Sequence, residues 1–288
     1  MGFQLANVDG RAVLVDGDHY FDLAELSGGD VGPDPMDAIA HPDRLHDASA
    51  KLAAATPTGT LDDVTLGPPI PQPQKVFAIG LNYASHVAES GMETPASPVV
   101  FTKYPSCLVG PTADVEIRSD GCDYEVELVV VIGRGGRDIT KADAWDHVAG
   151  VTVGQDISDR PAQFAAKPAH FALAKSFDTF GPIGPTVVST DLLDDRDALR
   201  LTCSIGDALR QDGTTIDLIF DVATLVSFLS SITTLVPGDL IFTGTPDGVG
   251  ASQGKFLADG DVITSTIDGV GAMANRVVRI SDATPIND

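Results

Sequence analysis

Residues 123–133 read Asp123-Tyr124-Glu125-Val126-Glu127-Leu128-Val129-Val130-Val131-Ile132-Gly133. The second half is an unbroken run of Leu, Val and Ile closed by glycine, the composition of a strand buried on both faces. Such a strand has no obvious use for charge, yet two carboxylates open it. Side chains alternate along a strand, so Glu125 and Glu127 share a face. Two anions at that spacing repel strongly where water is scarce. A divalent cation with oxygen ligands makes the pair tolerable. The competing reading is a solvated strand end with two unrelated acids. Composition favours the cation, because the chain has only six glutamates and aspartate supplies nearly all its other acid. Where a chain this rich in Asp places paired Glu, the longer arm serves a purpose.

Working outward, 288 residues allow one large or two ordinary domains with ample core. A hydrophobic content of 43% fits a globular protein. The sequence shows no apolar run of membrane-spanning length and no basic-then-apolar leader pattern. Three scattered cysteines, Cys107, Cys122 and Cys203, suit neither a disulfide framework nor a zinc site. We therefore expect a reducing, cytoplasmic setting. A formal net charge of -23 argues against nucleic acid and anionic membrane as partners, since both need a basic footprint.

Residues 3–26 predict small β structure, with Asp9-Gly10 and Asp16-Gly17 as turns. Residues 34–55 carry a helical pattern that Pro42 breaks or restarts. The segment 56–75 contains five prolines and predicts an extended linker without helix, and a domain boundary. The expected division is a small N-terminal domain with its linker over 1–70 and a catalytic domain over 71–288. Val76–Gly80 predicts a short strand that runs into a loop with one helical turn. On that turn His86 and Glu89 are neighbours three residues apart. A carboxylate beside an imidazole fixes its tautomer and raises its basicity, which is how a general base is made. An ordinary surface pair is the plainer reading of those two residues alone.

Gly133-Arg134-Gly135-Gly136 has neither the dinucleotide-binding spacing nor a phosphate-loop ending. Thr140 and Asp143 predict a cap for a short helix through Trp145. Val148–Gln155 predicts another apolar strand, with Asp156 at its end and Arg160 and Gln163 just beyond. Lys175, one of seven lysines, sits in a Gly- and Pro-rich loop. Residues 201–210 predict a hairpin, and 221–236 the clearest helix. Residues 239–245 predict a strand leading into a glycine turn, and 262–267 and 276–280 the closing strands. Strands outnumber helices and the connections are irregular. The expectation is an α+β, β-rich fold and not a doubly wound sheet.

At this point five motifs, in order, resemble the fumarylacetoacetate hydrolase family, prokaryotic type. They are Gly80-Leu81-Asn82-Tyr83 with His86 and Glu89-Ser90-Gly91; Asp123-Tyr124-Glu125-Val126-Glu127; Gln155-Asp156-Ile157-Ser158 with Arg160 and Gln163; Lys175 to Pro182; and Phe242-Thr243-Gly244-Thr245-Pro246 with Gly248-Val249-Gly250. The resemblance runs from about 75 to 280. It implies a mixed β-sheet roll behind a small N-terminal α/β domain, usually as a homodimer. It implies Mg²⁺ or Mn²⁺ on Glu125, Glu127 and Asp156, with Lys175 beside the ion and the substrate carbonyl. His86 and Glu89 become a catalytic dyad on a lid, and Arg160, Gln163, Gly244 and Thr245 substrate contacts. Pro161, Phe171 and Ala174 depart from the family pattern and bear on the pocket wall, not on the metal site.

Three carboxylates around a divalent ion leave an excess negative charge that Lys175 offsets. The ion keeps positions for the two oxygens of a 2-oxo acid and stabilises its enolate. The favoured reading is a metal-dependent hydrolase of acylpyruvate-like 2,4-dioxo acids, acting through a metal-bound enolate with the dyad activating water. An isomerase or decarboxylase of 2-oxo or 2-hydroxy-diene dicarboxylates in aromatic catabolism is the alternative. A non-catalytic domain that retains the metal site is the third.

Overall fold

Asp9 and Gly10 both adopt positive φ, 50° and 80°. That is the two-residue turn whose twist matches its flanking strands, and it joins β1 (Gln4–Val8) to β2 (Arg11–Asp16). β3 (His19–Asp22) completes the meander. Asp22 then caps α1 (Leu23–Ser27) by accepting the Glu25 N–H at 3.1 Å. α2 (Pro35–Ile39) and α3 (Pro42–Ser49) follow, and Pro42 opens the second, where its missing N–H costs nothing. Alternate residues of the hairpin serve two cores. Leu5, Ala12 and Leu14 face the main core, while Ala6, Val8, Val13 and Val15 form a small outer cluster. Leu61, Val64 and Leu66 of the proline-rich segment cover that outer cluster. The segment is thus pinned along the sheet, with the Asn7 amide donating to the Pro68 carbonyl at 2.9 Å. It also contains a single 3-10 turn at Leu61–Asp63, where no helical geometry was expected. The Thr60 hydroxyl, donating to Asp63 at 2.6 Å, closes that turn locally.

The structure, a computed structural model, describes residues 1–280; residues 281–288, the end of the expected second domain, lie outside the described residues. Beyond the linker the elements are β4 (Val76–Gly80), α4 (Ala84–Ser90), β5 (Val99–Thr102), β6 (Val126–Ile132) and β7 (Val148–Gln155). Next come α5 (Arg160–Phe164), α6 (Phe171–Ala174), β8 (Gly181–Val188), β9 (Arg200–Ile205) and β10 (Ala208–Thr214). α7 (Val222–Ile232), β11 (Leu240–Phe242), α8 (Gly250–Gln253), β12 (Val262–Ile267) and β13 (Gly271–Arg279) close the chain. The main sheet runs β3-β2-β1-β8-β7-β6-β11-β4-β5 and is mixed: β11 and β4 pair parallel, the others antiparallel. A second sheet runs β10-β9-β12-β13 and ends on the short strand Val115–Ile117. Leu128, Val130 and Val153 of the first sheet and Leu201, Ile263 and Ile267 of the second lie in one continuous core. The fold is therefore α+β and strand-rich, as expected. Pairing of Leu5 with Val187 carries the N-terminal strands into the main sheet, and Phe3, Leu14 and Leu45 belong to the same core.

Several boundaries differ from the sequence reading; β6 starts at Val126, leaving Glu125 just outside it, and β11 ends at Phe242. α4 has seven residues and not a single turn, because Val87 is buried beneath it and Gly91 ends it in the left-handed region. α7 starts at its Asp221 cap but stops at Ile232. Thr233 turns extended, and Leu235 is recruited to a bridge with Gly136. β13 begins at Gly271, five residues before the apolar alternation becomes visible. Among the described residues no helix is long and apolar enough to cross a membrane.

Candidate metal centre and active site

The antiparallel register sets Val126 against Gln155, so the start of β6 lies beside the end of β7. The Asp156 N–H donates to the Glu125 carbonyl at 2.9 Å, and the Gln155 amide oxygen accepts the Glu125 N–H at 3.0 Å. Gln155 also donates to Ser265 of β12 at 2.8 Å, which ties this corner to the second sheet. The outcome is that Glu125, Glu127 and Asp156 gather, each offering a carboxylate oxygen within 4.8 Å of the others. All three are buried.

Cations surround this cluster unevenly. The Lys175 ammonium lies 2.7 Å from both Glu125 and Asp156. Lys103, at the end of β5, donates to the other Asp156 oxygen at 2.7 Å and to the carbonyls of Phe180 and Lys175. All three donors of that ammonium are thereby used. The Arg160 guanidinium spans Asp123 at 2.8 Å, Gln163 at 2.8 Å and the outer oxygen of Glu125. No lysine or arginine among the described residues pairs with Glu127, whose partner is the Gly244 N–H at 2.7 Å. Gly244 sits at φ +102°, and a Cβ there would lie 2.8 Å from the Asn82 Cβ. Only glycine lets this backbone approach so closely.

Four buried carboxylates thus face three cations, and the imbalance falls on Glu127. Burial, then the charges of Asp156 and Glu125, push its carboxyl well above the ordinary value. Glu125 goes the other way. Burial opposes its ionisation, but Lys175 and Arg160 outweigh it and hold the carboxyl at about 2. Burial lifts Asp123 to about 6 despite Arg160. A buried carboxylate left without a cationic partner, in an all-oxygen donor set, is what a hard divalent ion fits. Glu125, Glu127 and Asp156 could therefore hold Mg²⁺ or Mn²⁺.

His86 and Glu89 come from α4, which covers the cluster. The Glu89 carboxylate meets His86 Nδ1 at 3.0 Å and also accepts the N–H groups of Gly248 and Val249 at 3.1 and 3.3 Å. Burial opposes ionisation of Glu89, but the His86 ring and those two N–H groups win and hold its carboxyl below the usual value. Asn82, fully buried, anchors the entry to α4 by donating to the Thr243 and Phe220 carbonyls at 2.7 and 3.0 Å. His86, Glu89, Glu125, Glu127, Arg160, Gln163, Lys175 and Thr245 all line one cavity of about 330 Å³. Thr245 already gives its hydroxyl to the Val126 carbonyl at 2.8 Å and accepts from Gln211 at 2.8 Å. Gly244 does not line the cavity; it supports Glu127 from behind.

Residues 75–278 match the family described as fumarylacetoacetate hydrolase, C-terminal. The chain belongs to the fumarylacetoacetate hydrolase family. It is 38% identical to the human mitochondrial oxaloacetate tautomerase FAHD2A, over 80% of this chain and 75% of the relative. A Mycobacterium smegmatis structure provisionally described as HpcE superposes with a TM-score of 0.90 at 45% identity, covering 96% of this chain and all of the other. The maleylpyruvate hydrolase of Sphingobium sp. SYK-6, solved with manganese(II) and pyruvate, gives a TM-score of 0.81 at 33% identity, over 96% of this chain and 99% of the other. The family holds hydrolases, isomerases and tautomerases.

Sequence reasoning missed Lys103, and it gave no role to Asn82 or to Asp123, the Arg160 partner, although both stand in the quoted motifs. Lys103 carried one signal: it is a rare lysine directly after an apolar strand. Its aim at Asp156, across 53 residues of chain, had no sequence trace.

Proposed function

We propose that the chain is a divalent-metal-dependent hydrolase that cleaves a C–C bond in acylpyruvate-type 2,4-dioxo acids. The observation that carries this reading is the dyad. Glu89 binds one ring nitrogen of His86, and both residues line the same cavity as Glu125 and Glu127 of the carboxylate cluster, with Asp156 fully buried behind it. With Nδ1 engaged by Glu89, His86 Nε2 is left to accept a proton. An ion held by Glu125, Glu127 and Asp156 supplies Lewis-acid charge for the paired oxygens of a 2-oxo acid and for its enolate. The occurrence of manganese and pyruvate together in the maleylpyruvate hydrolase structure supports that placement.

His86 Nε2 takes a proton from water, and the oxygen adds to the distal carbonyl at C4. The C3–C4 bond then breaks, its electron pair passing to C3 as the pyruvate enolate, and the acyl part leaves as a carboxylic acid. Lys175, 3% exposed, faces the negative charge that develops. The proton held by His86 returns to C3, so one water is consumed and pyruvate and an acid are released.

The second reading is tautomerisation, in which the base moves a proton between carbon and oxygen without adding water. The oxaloacetate tautomerase relative favours it. Measuring both reactions in His86→Ala and Glu89→Ala decides between them. The hydrolytic reading expects each variant nearly to abolish acylpyruvate cleavage, and the double variant to lose little more, because the pair acts as a unit. Cleavage at the wild-type rate in either single variant overturns it.

A further inference from the structure

We infer that the outer half of this cavity selects an uncharged, apolar tail, so the preferred acid carries one carboxylate and not two; this rests on the 2-oxo acid reading of the site. Of the exposed residues that line the cavity, all but Ser252 are apolar. At its floor Lys175, Glu125 and Glu127 are nearly inaccessible. Toward its mouth the lining turns to Leu81, Met92, Val99, Phe101, Phe164 and Phe171. Exposure rises the same way, with Phe164 at 59% and Met92 at 51%. Phe101 and Phe171 pack together with ring centroids 5.7 Å apart, and Lys175 stands over the Phe101 ring at 5.3 Å. That contact marks where the charged floor meets the aromatic wall.

A second carboxylate at the far end of a substrate would need a cation there. Among the described residues the only lysine and arginine lining the cavity are Lys175 and Arg160. Lys175 is held between Glu125 and Asp156. Arg160 gives three of its five N–H donors to Asp123, Gln163 and Glu125, which fix its guanidinium over the floor. Both belong to the floor. Glu89 also lines the cavity and adds negative charge to its wall. Placing an unpaired carboxylate against aromatic rings forfeits its hydration with no return, whereas an alkyl or aryl tail gains from the same surface. The acids named for the relatives, oxaloacetate and maleylpyruvate, each carry two carboxylates. The wall of this chain fits a different tail.

The test uses two acids of equal length that are not cleaved, 2-oxohexanoate and 2-oxoadipate, which differ only in a terminal methyl or carboxylate. Calorimetric titration into the Mg²⁺-loaded protein at pH 7.5 should give at least about tenfold tighter binding of 2-oxohexanoate. Equal or tighter binding of 2-oxoadipate overturns the inference, as does no binding of either at millimolar concentration. Phe164→Arg places a cation at the exposed mouth, where folding is least at risk. It should move the ratio of the two affinities about tenfold toward 2-oxoadipate, and an unmoved ratio counts against the inference. Cleavage of 2,4-dioxoheptanoate is followed separately. Its absence sinks the hydrolytic reading, while the affinity ratio still decides the question of the tail.

Discussion

Lys103→Met should destabilise the metal-free protein strongly and the metal-loaded protein less. The ammonium of Lys103 is fully buried and makes three bonds, to Asp156 and to the carbonyls of Phe180 and Lys175. Methionine keeps the apolar stem and removes the charge. Breaking a buried ion pair on one side costs about 3–5 kcal/mol, because the remaining charge stays desolvated. Asp156 retains Lys175 on its other oxygen at 2.7 Å, so the lower end applies, about 3 kcal/mol. For a chain of this size that corresponds to a melting temperature lower by about 5–10 °C. The variant leaves four carboxylates facing two cations instead of three, so a divalent ion relieves more repulsion than in the wild type. Saturating Mn²⁺ should therefore raise the variant's melting temperature more than the wild type's, since a ligand stabilises by its preference for the folded state. Thermal melts of both proteins, with and without Mn²⁺, are the assay. A variant that melts with the wild type, or one whose deficit is the same with and without the ion, would refute the charge argument.

Lys175→Ala should lower turnover roughly 100-fold or more while Mn²⁺ affinity holds or rises, since a competing cation leaves the carboxylates; full activity in the variant contradicts the assignment. Burial and the charges of Asp156 and Glu125 raise the Glu127 carboxyl, which must be ionised to bind the ion, so apparent Mn²⁺ affinity should fall by about tenfold per pH unit below its raised titration point. By the same sign, the folded state keeps a proton that the unfolded glutamate has lost, so metal-free stability declines as pH rises through that point; calorimetry and melts across pH check both, and pH-independent affinity rules the coupling out. Gly244→Ala meets Asn82 and the Ile79 carbonyl at 2.8 and 3.1 Å in a backbone region unfavourable to L residues, so a loss of about 1–3 kcal/mol in urea unfolding is expected; unchanged stability would show that the loop yields freely. We also propose a homodimer, motivated by the family resemblance and by Val99 and Val100 lying exposed on edge strand β5; sedimentation showing only monomer at micromolar concentration removes it.

What the sequence determined by itself was local. The Val126–Ile132 run became a strand because a segment so rich in β-branched residues has few other uses, and Glu125, just ahead of it, still gathers with Glu127. Asp9-Gly10 made its turn, and Asp221 capped its helix through the Thr224 N–H at 2.7 Å, because both act within four residues. Helix and strand ends were legible only where they were set locally. α7 lost its last turn to a bridge between Leu235 and a partner about 100 residues away. The charge balance of the site was decided by tertiary structure alone. Lys103, Asp123 and Arg160 reach the cluster through the pairing of β6 with β7 and the packing of β5 and α5 around it. Whether a carboxylate is neutralised depends on distances of 3 Å between residues tens of positions apart, which hydrophobic periodicity does not encode. The same holds for the apolar mouth of the cavity. Phe171 stood out in sequence only as a departure from the family pattern, Phe164 and Met92 not at all, and it is the closing of α4, α5 and α6 around one floor that makes the three a wall.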